Sequence, residues 1–408
     1  MSTPAWEREK GDVILARISS LLMPTNPKLP YWRLSGYYVF YFAALGCFMP
    51  YWALYLQSLG FSYAQIGQLM AIMPATKIIS PNLWGWLADH TDRSVPLIRI
   101  SSCLTAVSFV LIFWGSGFAW LALSMLLIGF FWNGPMALFE AMTMSWLKED
   151  SHRYSRIRIW GSLGFIASVF GTGWALDKVL VIECLPSLLF YLFIGMGLVA
   201  LLLPSRSVWV EGVEQGSLSA IIKRRGVIAF FLACLLIQAA HGPYYTFFSV
   251  YLKEHGYDAG QTGLLWSLGI LAEILFFGFS NVVFKRFSLR GILLVATALS
   301  VLRWLLIAWW VDNIALLILA QLLHAASFGA NHVAAIQFIH KHFAWPHQSK
   351  GQALYGSLSF GLGGMLGSYA SGEVWVSLGP SIVFGTAAGL SMVAFLVVWG
   401  RVGKPAAR

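Results

Sequence analysis

Six ionisable side chains stand inside apolar stretches. They are Lys77 in MPATKIISPNLWG, Glu140 in GPMALFEAMTM, Arg158 in SRIRIWGSLGF, Glu273 in SLGILAEILFFGF, Arg303 in SVLRWLLIAWW and His324 in AQLLHAASFGA. A charge placed in hydrocarbon costs several kcal/mol, so each of them requires a partner or a task. A compact ammonium such as Lys77 suits a carboxylate ligand, whereas an arginine keeps its charge and must find an acceptor. Glu273 is the expected partner of Arg303. A buried carboxyl beside a cation, or an imidazole, can trade a proton near neutral pH, which makes Glu273 and His324 the candidates for proton work. Ser327 and Asn331 follow His324 at i+3 and i+7 and share its helical face.

Each of these residues also has a plainer reading. Lys77 and Glu140 would suit one another as a structural pair, as would Glu273 and another buried charge. Arg158 has two basic neighbours, Arg153 and Arg156, and fits a simple helix flank. His324 fits a hydrogen-bonded packing residue. The aromatic residues Tyr37, Tyr41, Trp52, Trp160, Tyr244, Tyr245 and Trp266 offer faces for stacking on a ring, but at 15% aromatic content interface belts and helix packing are the default.

The elements that must position these groups follow from composition. Of 408 residues 58% are hydrophobic and 11% charged, too apolar for a water-soluble core of this length. The pattern predicts twelve membrane-spanning helices, near 32–56, 66–88, 97–115, 118–142, 158–177, 185–204, 226–251, 261–284, 290–311, 314–339, 350–372 and 380–400. Each supplies about the 20 apolar residues that cross a ~30 Å hydrocarbon core. The formal charge of +10 does not point to nucleic acid, because the basic residues sit in short gaps between apolar runs. The tail and alternate loops hold 23 of the 27 Lys and Arg, while the opposite loops hold only Lys178 and Lys253. By the positive-inside rule both termini are expected in the cytoplasm. The four cysteines show no CxxC or metal spacing and are expected as packing residues.

The chain also repeats itself. Tyr55 to Leu69, YLQSLGFSYAQIGQL, matches Tyr251 to Leu265, YLKEHGYDAGQTGLL, with Gly60 over Gly256, Gln65 over Gln261 and Gly67 over Gly263. WGSLGF from Trp160 matches YGSLSF from Tyr355 at nearly the same offset. The predicted organisation is a cytoplasmic tail over 1–30, a six-helix bundle over 31–204, a linker loop over 205–225, a second bundle over 226–400 and a tail over 401–408. Six spans per half make the two repeats parallel, with a site expected between them near mid-bilayer.

Six plus six helices with GWLADHTDR after the second span resemble the major facilitator superfamily. The resemblance implies a gating role for Asp89 and Arg93 at the cytoplasmic ends of the helices. Glu140, Arg158, Glu273, Arg303 and His324 are similar in placement to the substrate and proton-coupling residues of its lactose permease branch. One departure is that Ser327 stands where that branch carries a glutamate. Another is that the aspartates of helix seven are missing, with Gln238 and His241 nearby. The C-terminal half is most similar to the phenylpropionate permease group, through AAHGPYYTFFSVYLKEHGY, LLWSLGILAEILFFGFSN and QLLHAASF.

The resemblance implies an all-α secondary transporter of the inner membrane that moves a small aromatic carboxylate with a proton, as a monomer driven by the proton gradient and without a cofactor. Substrate binding is expected from Lys77, Glu140, Arg158 and Glu273, and proton coupling from Glu273, Arg303 and His324. The alternatives are a sugar or nucleoside symporter, a non-transporting sensor, or a membrane acyltransferase reacting at His324 or at His332 beside Asn331.

Overall fold

The computed structural model describes residues 29–147, 153–204, 218–343 and 347–402. Residues 1–28 of the expected N-terminal tail over 1–30, residues 205–217 of the expected linker over 205–225 and residues 403–408 of the expected C-terminal tail over 401–408 lie outside the described residues. Twelve long helical segments follow one another: α1 (Tyr31–Ser58), α2 (Tyr63–Thr91), α3 (Ser94–Phe109), α4 (Phe118–Leu147), α5 (Tyr154–Lys178), α6 (Leu185–Leu201), α7 (Arg225–Glu254), α8 (Ala259–Arg286), α9 (Leu289–Trp309), α10 (Ile314–His342), α11 (residues 348–378) and α12 (Pro380–Arg401). Ten of them, α3 and α6 together with the adjoining 3-10 turns Val110–Phe113 and Ile182–Cys184, are long and apolar enough to cross a membrane. The other two are α2, which carries Lys77 and two prolines, and α11, which runs through three consecutive helical segments.

The repeated stretch of sequence is a repeated piece of punctuation. Gly60 and Gly256 take the left-handed φ values +85° and +80° that end α1 and α7, a conformation that glycine adopts at no steric cost. Two residues later Ser62 and Asp258 each cap the next helix, accepting the backbone N–H of Gln65 and Gln261, whose side chains reach back to the caps. The same offset that aligned the sequences therefore aligns two capping boxes.

The halves meet through symmetry-related pairs: α2 crosses α11, α8 crosses α5, and α1 packs on α7. At the α2–α11 crossing a Cβ on Gly67 would lie 2.9 Å from Gly372 Cα, so the backbones themselves are in contact. Near the capping boxes, Tyr63 OH donates to Glu254 at 2.6 Å, Gln68 to Glu373 at 3.3 Å and Lys253 to Gln57 at 3.5 Å. These bonds tie the two halves at that end. Asp89 and Arg93 lie at the opposite end, both exposed.

Three departures from regular helix concentrate near the charged residues. Within α4, Gly134 separates Phe118–Asn133 from Pro135–Leu147, because Pro135 has no N–H to continue the ladder. In α10 residues Ala325–Ala330, and in α11 residues Gly356–Gly363, form π-helix, a wider turn that occurs mainly at functional sites. All four cysteines are free thiols.

Candidate functional site

The charged residues gather on the inner faces of the two halves. In the N-terminal half, the Glu140 carboxylate accepts a hydrogen bond from Tyr154 OH at 3.2 Å, and Tyr38 OH donates to Tyr154 at 3.4 Å. Arg158 is not in salt-bridge contact with Glu140, although each lies in Coulombic range of the other. Its guanidinium instead lies over Phe42, 4.0 Å from the ring centroid, and 5.4 Å from that of Tyr38. Such stacking suits a weakly hydrated, planar cation and leaves its N–H edge free to reach a ligand. Tyr154 was hidden in the sequence because it sits among basic residues that read as a loop.

Lys77 stands apart. On α2 the exposed Ile79 and Leu83 mark the lipid side, and Lys77 lies two residues, about 200°, around the helix from Ile79. Its neighbour Thr76 accepts from Asn133 of α4 at 2.8 Å, and Ile78 packs against Gly361 of α11. Pro74 and Pro81 flank it on the same helix. Pro81 removes the backbone donor that would bond the Lys77 carbonyl, leaving the helix more polar at this level. Among the described residues the ammonium has no hydrogen-bond or ion-pair partner, so the alternative of a structural pair with Glu140 does not hold in this state.

In the C-terminal half the expected pairing of Glu273 with Arg303 is not made. The Glu273 carboxylate pairs with His324 Nε2 at 3.5 Å, with 14% of its side chain exposed. Arg303 is fully buried on the far side, donating to Ala320 O at 3.0 Å, Ser327 Oγ at 3.0 Å and His241 Nε2 at 3.4 Å. Its guanidinium carbon sits 4.4 Å from the ring centroids of both Tyr244 and Trp304. The reason lies on α10, where His324 reaches Glu273 while Ser327 turns to Arg303. A neutral hydroxyl and two ring faces therefore hold this cation without a carboxylate. Because an arginine only donates, His241 must accept at Nε2 and carry its proton on Nδ1, which donates to Ile237 O at 2.8 Å. Arg303 Nη2, His324 Nδ1 and Gln321 Nε2 remain buried without a hydrogen-bond partner.

The two clusters face each other, since Arg158 of one half lies in Coulombic range of Glu273 and His332 of the other. The aromatic residues behave mostly as packing. Tyr37, Trp52 and Trp266 are buried among other rings, whereas Tyr244 stacks beneath Arg303. Asp89 and Arg93 show no partner among the described residues.

Paired six-helix halves with inward-facing charges agree with the family model that matches residues 31–386, the MFS_1 like family. The chain belongs to this family of major facilitator transporters. It is 30% identical to the "Probable 3-phenylpropionic acid transporter" of Escherichia coli (strain K12), a match covering 76% of this chain and 81% of that protein. It is 26% identical to the "Maltose permease" of Geobacillus stearothermophilus, over 80% and 83% of the two chains. The crystal structure of the nucleoside transporter NupG superposes with a TM-score of 0.79 at 18% identity, covering 92% of this chain and 99% of that one. That likeness is one of fold. As a member of this family the chain is a multi-pass membrane transporter of a small molecule and not an enzyme.

Proposed function

We propose that this transporter moves a small aromatic carboxylate, resembling phenylpropionate, together with a proton, by alternating access of its two halves. The observation that carries the reading is Lys77, a mid-helix ammonium with no protein counter-ion among the described residues. A half-buried cation at membrane depth without a partner is unfavourable unless a ligand supplies the anion. Arg158, stacked on Phe42 with its edge free, is placed to share that carboxylate, while Glu140 with Tyr154 and Tyr38 offers hydrogen bonds around it. Glu273 with His324 carries the proton, and no cofactor takes part. The 30% identity to a probable 3-phenylpropionic acid transporter supports the same substrate class. The distribution of basic residues supports an inner-membrane protein with both termini cytoplasmic and the Asp89 end facing the cytoplasm, where Asp89 and Arg93 act in gating. The transporter works as a monomer.

The test is uptake by proteoliposomes with an imposed pH gradient, comparing labelled 3-phenylpropionate, maltose and uridine. Uptake of the acid, with an affinity at least tenfold lower in Lys77→Gln, is expected; the loss of a desolvated charge pair is worth roughly 2–5 kcal/mol. Transport of maltose or uridine in place of the acid, unaffected by Lys77→Gln, would identify a sugar or nucleoside carrier instead.

A further inference from the structure

We propose that His332 and Tyr355, with the small polar cavity beside them, form a proton route between α10 and α11. The route leads from Glu273 along α10 toward the end of the molecule that carries Asp89. It rests on the proton-coupled reading of Glu273 and adds residues to which that reading assigned no part.

Helix α10 carries histidines at eight-residue steps, His324, His332 and His340. The first two are bridged by Phe328, whose ring is parallel to both within 9°, at centroid distances of 5.3 Å and 6.0 Å. The phenyl ring keeps the imidazoles from bonding to each other, so a proton passing between them must use another group. Glu273 is that group. It contacts His324 directly, and its Cγ lies over Gly329, 3.3 Å from where a Cβ would stand. Glycine at 329 lets the carboxylate swing along α10 toward His332, with which it already interacts electrostatically.

From His332 the path continues across to α11. His332 Nδ1 lies 3.2 Å from Tyr355 OH, and His340 Nε2 accepts from Gln352 Nε2 at 3.1 Å. Tyr355 and Gln352 are three residues apart and share a helical face, so the two bonds form successive rungs between the helices. The π segments, Ala325–Ala330 just before His332 and Gly356–Gly363 just after Tyr355, bracket the upper rung. His332 and Tyr355 also line a cavity with Gln238, Ser327, Asn331 and Thr297, which has about 20 Å³ of room for the centre of a water molecule. One water needs ~10–15 Å³ and two to four polar partners, and both conditions are met. His340 is exposed at the far end.

The titratable and charged groups facing His332 are Glu273 from α8, Arg158 from α5, Tyr355 from α11 and Cys234 from α7, while α9 presents the neutral Thr297. The imidazole thus has one carboxylate to take a proton from and one hydroxyl and a water site to pass it to. Proton transfer is complete at each step: the Glu273 carboxyl loses its proton to the free ring nitrogen of His332, and the other nitrogen releases one either directly to the cavity water or to Tyr355, whose hydroxyl at the same moment hands its own proton to that water.

The test separates proton release from substrate movement. Proteoliposomes loaded with unlabelled 3-phenylpropionate exchange it for labelled acid without net proton release, whereas uptake driven by a pH gradient requires that the carrier deprotonate. In His332→Phe and Tyr355→Phe, gradient-driven uptake is expected to fall at least tenfold while exchange stays within twofold of the wild type. If both variants keep gradient-driven uptake, or if exchange falls in parallel with it, the route is overturned. Wild-type protein that exchanges or accumulates the acid without any response to pH would instead refute the proton-coupled reading itself.

Discussion

Arg303 is the residue whose surroundings differ most from expectation, and the difference is informative. The sequence offers Glu273 as its natural counter-ion, yet the guanidinium is held by a carbonyl, a hydroxyl, an imidazole and two rings. A buried charge satisfied in this way adds little stability, because replacing buried ionic groups by apolar ones of similar volume is often neutral or stabilising. Arg303→Met should therefore leave the thermal unfolding midpoint in detergent unchanged or raised, while pH-driven uptake falls at least tenfold. A large drop in the midpoint would assign the residue to stability. Sequence alone identified the residue and its depth but not its partners. Which of several buried charges meet is set by helix rotation and by the π turn at Ala325–Ala330, neither of which leaves a periodic signal. The replacement of a carboxylate by Ser327 was legible, and the structure gives it a role as acceptor for that guanidinium.

At the scale of the helix, the twelve spans were legible because an apolar run of membrane length has few other readings, and the observed helices extend most of them by a turn or less. The repeat was legible as letters, and its physical content is a left-handed glycine followed by a capping box in each half. The kink at Gly134 and the π segments were not legible, since both arise from how neighbouring helices pack. Helix crossings give a direct test of alternating access. Gly67 lies against Gly372 backbone to backbone, at the end where Lys253 bonds Gln57 across the halves. Gly67→Leu cannot fit there without parting α2 from α11. A spin-label pair at Gln57 and Lys253 should then report a longer mean distance than in otherwise wild-type protein, with uptake strongly reduced. An unchanged distance would show that this crossing does not control closure.

For the whole molecule, the membrane-level charges are Lys77, Arg158 and Arg303 against Glu140 and Glu273. The surplus is a single positive charge, which one monocarboxylate balances. One proton moving with one monocarboxylate carries no net charge across the membrane, so the potential does no work on it. Uptake of 3-phenylpropionate should respond to an imposed pH gradient and be indifferent to a potassium diffusion potential set with valinomycin. Stimulation by the potential alone would mean more than one proton per substrate.

Lys77 has one more consequence, which concerns what the transporter does when a proton is bound without the acid. To cross with a proton on Glu273 but no acid, the protein would have to close around a bare ammonium with Glu273 neutral, an arrangement more costly than closing around an ammonium that a carboxylate neutralises. The carrier that is protonated but holds no acid should thus hesitate at the occluded stage while the fully loaded one passes freely. An unfilled valence of this kind discourages idle turnover and keeps the proton gradient from draining through a protein with no cargo aboard.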